Sequence, residues 1–194
     1  MLRQRIGSLA RGTRRRRSGG LAILWLTCLI LSAGAPALAQ SPAPRDIAKA
    51  FAASLSELPS EPLTVGGSIY VPAYSSVSIN QGGARADFSV TLSIHNASET
   101  KPLVIKRIGY YDGTGKMVET YLKAPVALKP FATIEAFVAT LDTRAGTGAN
   151  FVIDWAAAGD IAEPVTEALM IGTFANGHYA FISQGRPIRA TAAR

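Results

Sequence analysis

The sequence predicts an all-β fold: a two-layer antiparallel β-sandwich, immunoglobulin-like in arrangement, with a short N-terminal helix ahead of it. Three observations carry that prediction. From Ser68 onward, apolar and polar residues alternate with period two, as in strands with one face in a core and one in water. Turn signals interrupt the alternation, giving about seven to nine strands at spacings of roughly 10 to 20 residues. No helical periodicity lies between them, which removes the βαβ unit and its parallel sheet. A small closed barrel is the other architecture that fits this pattern.

The chain opens on a leader. An arginine-rich stretch, Arg3 to Arg17, is followed by an apolar stretch, Leu21 to Ala33, and then Ala37-Leu38-Ala39. Positive region, apolar region and small-x-small site in that order read as a secretory signal peptide over 1–39. Cleavage after Ala39 leaves Gln40 first, and the expected location is periplasmic or secreted. The apolar stretch is about 13 residues, short of the roughly 20 a membrane span needs. An uncleaved anchor, the twin-arginine export route and acylation of Cys28 are the alternatives.

The leader also explains the charge. It holds seven of the 20 basic residues and none of the 13 acidic ones, so the rest of the chain is neutral. A neutral domain argues against nucleic acid as partner, because such binders need a basic surface. The expected partner is an envelope protein or glycan, with membrane contact only through an uncleaved leader. Cys28 is the single cysteine. The domain behind the leader therefore has no disulfide and no thiolate chemistry.

Residues 40–67 read as a linker and a short helix. Ser41-Pro42-Ala43-Pro44 is stiff. Ile47, Phe51, Leu55 and Leu58 share one helical face within Arg45 to Leu58, and Pro59 ends that helix. The sandwich is expected over 68–190. Phe88, Val90, Leu92 and Ile94 alternate with polar residues within Ala84 to His95. Leu103 to Asp112 and Met117 to Leu122 form a hairpin across Asp112-Gly113-Thr114-Gly115. Phe131 to Ala139 follows the Lys129-Pro130 turn. Phe151 to Trp155 places Phe151, Ile153 and Trp155 on one side, with Trp155 in the core. Val165 to Thr173 and Tyr179 to Ser183 pair through Asn176-Gly177. Asp142 to Asn150 is small, polar and glycine-rich, and reads as a loop on a rigid frame, where binding tends to sit.

Several segments resemble a known family in order and spacing: Tyr70-Val71-Pro72-Ala73-Tyr74-Ser75, Leu92-Ser93-Ile94-His95-Asn96, Tyr110-Tyr111-Asp112, Asp142-Thr143-Arg144, Gly148-Ala149-Asn150-Phe151, Met170-Ile171-Gly172 and Gly185-Arg186-Pro187-Ile188. Together they resemble a bacterial family of exported proteins, domain of unknown function family 3124, over roughly Ser68 to Ile188. The resemblance implies a secreted or periplasmic single domain with no established activity, and it supplies no catalytic residues.

Motifs for chemistry are few. The two histidines, His95 and His178, stand far apart without metal-ligand spacing, and no D-x-D-x-D run marks a calcium site. No metal or cofactor is expected. There is no G-x-S-x-G elbow. Asp112, Glu119, Asp142 and Asp154 are acids that a glycosidase pair would draw on, but nothing sets two of them at working distance. Gly146-Thr147-Gly148 lacks the lysine and following helix of a phosphate loop. Arg144 is singled out in two senses: as a fork pinning Asp142, or as a reader of a partner's carboxylate or carbonyl. Asn150, Tyr111 and Arg186 complete the candidate binding set, because adjacent Tyr110 and Tyr111 must face opposite sides of a regular strand. The reading is an exported envelope binding module without catalytic activity. An enzyme acting on envelope polysaccharide or peptide, and a structural protein assembling through edge strands, are the alternatives.

Overall fold

The computed structural model describes residues 45–191. The signal peptide expected over 1–39, Cys28 and the linker expected at Ser41–Pro44 lie outside the described residues. Twelve strands are present among those described: β1 (Leu55–Ser56), β2 (Val65–Pro72), β3 (Ser76–Ser78), β4 (Arg85–His95), β5 (Leu103–Tyr111), β6 (Met117–Thr120), β7 (Val126–Leu128), β8 (Thr133–Val138), β9 (Asn150–Ala157), β10 (Val165–Phe174), β11 (Gly177–Gln184) and β12 (Arg186–Thr191). They form two antiparallel sheets. The first runs β1-β7-β5-β9-β2-β12, with β6 also on β5; the second runs β11-β10-β4-β3, with β8 also on β4. The protein is thus all-β with almost no helix, as the period-two pattern predicts.

Alternation fixes which face each strand buries. In β4 the odd partners of the pattern, Ala86, Phe88, Val90, Leu92 and Ile94, are all buried, while Ser89, Thr91 and Ser93 are half-exposed. The first sheet answers with Ile69, Val71, Ile105, Ile108, Tyr110, Phe151, Ile153 and Trp155 in the same core. Each large apolar side chain moved out of water contributes about 1.5–3 kcal/mol, which is how a domain without disulfides holds together. The β5–β6 hairpin forms at the expected turn. Asp112 accepts from the Thr114 and Lys116 amides at 2.9 and 3.0 Å, and Gly115 takes φ +82°, which its missing Cβ permits.

Three expectations need correction. The helix expected over Arg45 to Leu58 is one turn, α1 (Ile47–Ala50), with Asp46 accepting from the Lys49 amide, followed by a tight turn at Ala52–Ser54. Ile47, Phe51 and Leu55 do reach the core, but Leu55 and Ser56 leave the helix to pair with Leu128 and Ala127 of β7. A ladder on an otherwise open edge satisfies backbone groups that another helical turn would leave unmatched to β7. Leu58 ends up exposed. The last hairpin turns one residue earlier than expected: Phe174 pairs with Gly177, and Ala175 carries the positive φ of +51°. The strand count also rises, because β1, β3 and β7 are too short for their alternation to register.

Two irregularities matter below. In β5, Ile105 pairs with Trp155 but Arg107 pairs with Asp154, so Lys106 is an extra residue, a β-bulge. In β12, Pro187 pairs with Ile69 but Arg189 pairs with Ser68, so Ile188 is likewise extra. Between β11 and β12 the chain passes from one sheet to the other at Gly185. The Gly185 amide donates to the Thr166 carbonyl at 2.8 Å, and a Cβ there would collide with Thr166 and meet Ile69 at 2.8 Å.

Candidate binding surface

Four of the five residues singled out from sequence gather at one end of the first sheet. Asp142 is buried at 5 % exposure. Arg144 donates to it twice, Nε to Oδ1 and Nη2 to Oδ2, both at 2.7 Å, and stands 3.8 Å from Glu119. The arginine is therefore the fork that pins its own loop, a short bidentate pair of the stronger kind. The Asp142 hydrogen bond and charge raise the arginine's pKa further. Backbone and hydroxyl contacts anchor the rest of the expected loop as well. Ser75 N donates to Gly146 O at 3.2 Å and Ala73 N to Ala149 O at 2.8 Å, while Thr147 Oγ1 donates to Ser76 O at 2.7 Å. Residues Gly146–Gly148 make one tight turn, and Gly148 packs directly on Gly113.

Beneath that corner lie two tyrosines. Tyr110 is fully buried, its ring 4.8 Å from that of Phe151. Its hydroxyl has Ser75 as polar neighbour but no hydrogen bond of sound geometry to any described residue. Burial pushes it up to about 12. Tyr121 donates to Phe137 O at 3.2 Å, and burial raises its pKa as well.

Tyr111 and Asn150 are direct register partners, and Pro72 completes their row. Alternation puts this row on the outer face of the first sheet. The next outer row is Gly109, Val152, Tyr70 and Arg186; the one after is Arg107, Asp154, Ser68 and Arg189. Arg186 thus shares the face with Tyr111 and Asn150, but it lies at the β12 edge, away from the Asp142–Arg144 fork.

The third row was missed from sequence. It is one continuous hydrogen-bonded line across four strands. Arg107 Nε donates to Asp154 Oδ2 at 2.8 Å and Ser68 Oγ to Asp154 Oδ1 at 2.6 Å. Arg189 Nη2 donates to Ser68 Oγ at 3.1 Å, and Arg107 Nη1 reaches the Tyr111 hydroxyl. The Tyr111 ring lies over Gly109, where a Cβ would stand 2.8 Å from it. Burial alone would raise the Asp154 carboxyl, but the bonds from Arg107 and Ser68 outweigh it and hold it below the usual carboxylate range. A groove of about 260 Å³ runs beside the row, lined in part by Gly66, Ser68, Lys106, Asp154 and Arg189. A larger opening of about 780 Å³ is walled by α1 and residues Glu119–Val126; there Lys123 already faces Asp46 at 3.4 Å.

The other polar residues of note are occupied structurally. Asn96, 1 % exposed, donates to the carbonyls of Lys101, Leu128 and Lys129 and accepts from the Ser98 amide. His95 stands between two hydroxyls, Ser93 at 3.2 Å and Thr133 at 2.9 Å. Among the described residues no three His, Asp or Glu side chains are grouped as a metal would need.

Two antiparallel sheets with almost no helix define the chain as an all-β domain. By its sequence it belongs to the family described as Protein of unknown function (DUF3124), whose model matches residues 66–188. No curated protein matches the chain. Among solved structures it is similar to that of Thermotoga maritima 1070, at 13 % identity and a TM-score of 0.37, covering 62 % of this chain and 92 % of that one.

Proposed function

We propose that this protein is an exported binding module of the cell envelope, periplasmic or secreted, that acts by contact and not by catalysis. Its contact surface is the outer face of the first sheet, from Tyr111 and Asn150 to Arg186, with the Asp142–Arg144 corner at one end. The carrying observation is the Arg107–Asp154–Ser68–Arg189 row. Two bulges on separate strands bring an arginine into the same row, on a face the core does not use. Bulges of this kind commonly re-aim side chains beside functional sites. His95, whose ring nitrogens both face hydroxyls and no carboxylate, favours binding over a serine-hydrolase mechanism. For the frame we propose the immunoglobulin-like arrangement, with which two all-antiparallel sheets are compatible; strand-by-strand comparison of an experimental structure with that fold decides it.

The test is affinity capture from envelope protein and glycan fractions with the full chain, beside Tyr111→Ala and Arg144→Ala variants. A partner held by the native chain and lost from folded Tyr111→Ala is the expected result. Equal capture by all three removes this face from the reading. Recovery of the chain's own copies alone would favour self-assembly instead, for which β11 is the element to examine: it ends the second sheet and exposes Tyr179 and Ile182.

A further inference from the structure

The groove beside the outer row has a charge imbalance of definite size. Arg107 and Asp154 neutralise each other at 2.8 Å. Arg189 donates to the Ser68 hydroxyl and feels the same Asp154 carboxylate only at longer range. Lys106 makes no ion pair among the described residues. Around this small concavity Lys106, Arg107 and Arg189 thus stand against the single carboxylate of Asp154, an excess of two positive charges.

Their placement follows from the bulges. Without the extra residue in β5, Lys106 would take the place of Arg107 opposite Asp154. The bulge instead gives Arg107 to Asp154 and leaves Lys106 to line the groove. Without the extra residue in β12, Ile188 and not Arg189 would oppose Ser68. Strands β5 and β12 stand three spacings apart, roughly 14 Å at about 4.8 Å each. Lys106 lines the groove from the β5 side and Arg189 from the β12 side.

We infer that this groove is a site for a doubly charged phosphate group, held between Lys106 and Arg189 with Ser68 at its floor. The inference rests on the binding reading above and names its ligand class. Charge matching selects the group: a phosphate monoester carries about −1.5 to −2 near neutral pH, which answers the excess of two positive charges, whereas a carboxylate answers one. Arginine supplies a planar fork and lysine a point charge, the two modes by which proteins hold phosphate oxygens. Ser68 already donates its proton to Asp154 and accepts from Arg189, so the phosphate oxygens are held by the two cations and not by this hydroxyl.

The experiment is a titration of the isotope-labelled full chain, followed by amide resonances at constant ionic strength. The probes are inorganic phosphate, glycerol 3-phosphate, phosphatidic acid vesicles, acetate and sodium chloride. Phosphate should shift the amides of Ser68, Lys106, Arg107 and Arg189 with a Kd of about 1 mM, the range expected for an open site. Lys106→Gln and Arg189→Gln should each weaken it about tenfold with the rest of the spectrum unchanged. Binding should also weaken near pH 6, where phosphate loses its second charge. Response to vesicles as well as free phosphate places the group on a lipid; response to the soluble monoesters alone places it on a soluble molecule. Equal shifts with acetate or chloride, or none with phosphate, overturn the inference. Envelope capture that survives both glutamine variants overturns it too, while leaving the binding reading intact.

Discussion

The guanidinium of Arg144 makes two 2.7 Å bonds to a carboxylate that is itself 5 % exposed. Removing it takes two donors from a buried anion, and hydrogen bonds to a charged group are the stronger kind, about 1.5–3 kcal/mol. Arg144→Ala should therefore lower stability by about 2 kcal/mol, read as a lower urea midpoint at unchanged slope. Arg144→Lys should recover only part of that, since an ammonium cannot reproduce the fork. An unchanged midpoint in the alanine variant would show that the loop stands without it. This pair was legible in the sequence because its members are two residues apart. The Arg107–Asp154 pair, 47 residues apart, was not: Asp154 stood out only as an acid, and nothing near Arg107 announces its partner. Ser68 and Arg189 are invisible for the same reason, since their roles exist only once four strands are in register.

At the scale of elements, the long strands were readable and the short or irregular ones were not. β4 shows its core face over 11 residues, so its period-two signal is strong. β1 has two residues and β7 three, too few for any period; β1 exists by pairing with β7, and β7 by lying between β1 and β5. The N-terminal helix failed similarly: its spacing correctly marked Ile47, Phe51 and Leu55 as core-facing, but tertiary pairing took its second half. Bulges leave no trace in composition, which is why the most polar row escaped notice. The passage from β11 to β12 gives an element-level prediction. Gly185 lies against Thr166, Ile69 and Val71 with no room for a methyl group. Gly185→Ala should cost about 1–3 kcal/mol through overpacking, visible as a drop in thermal midpoint. A variant as stable as the native chain would mean that the two sheets part easily at this point.

For the molecule as a whole, pH should act at both extremes. The Tyr110 hydroxyl titrates at about 12 when folded and near 10 when unfolded. Because the folded value is raised, its contribution is complete below about pH 10 and is lost as pH rises toward about 12. Tyr121 moves in the same direction. Asp154 works oppositely: its folded value is depressed, so its contribution is present above about pH 4 and disappears as pH falls through the folded value. Unfolding in urea across pH should give a plateau between these limits. The alkaline fall should coincide with tyrosinate absorbance; a flat alkaline limb would place the Tyr110 hydroxyl in water.

The crossing at Gly185 also sets an order of events in time. β2 must wait for β9 on one side and β12 on the other, partners some 80 and 120 residues downstream along the chain. Pairings of such long sequence separation are slow to form, in the millisecond-to-second range for all-β domains. Neither sheet can be completed before its last strand, β11 or β12, has arrived. Until then β2 lacks one neighbour and β10 lacks another, and the final segment is the clasp that closes both sheets.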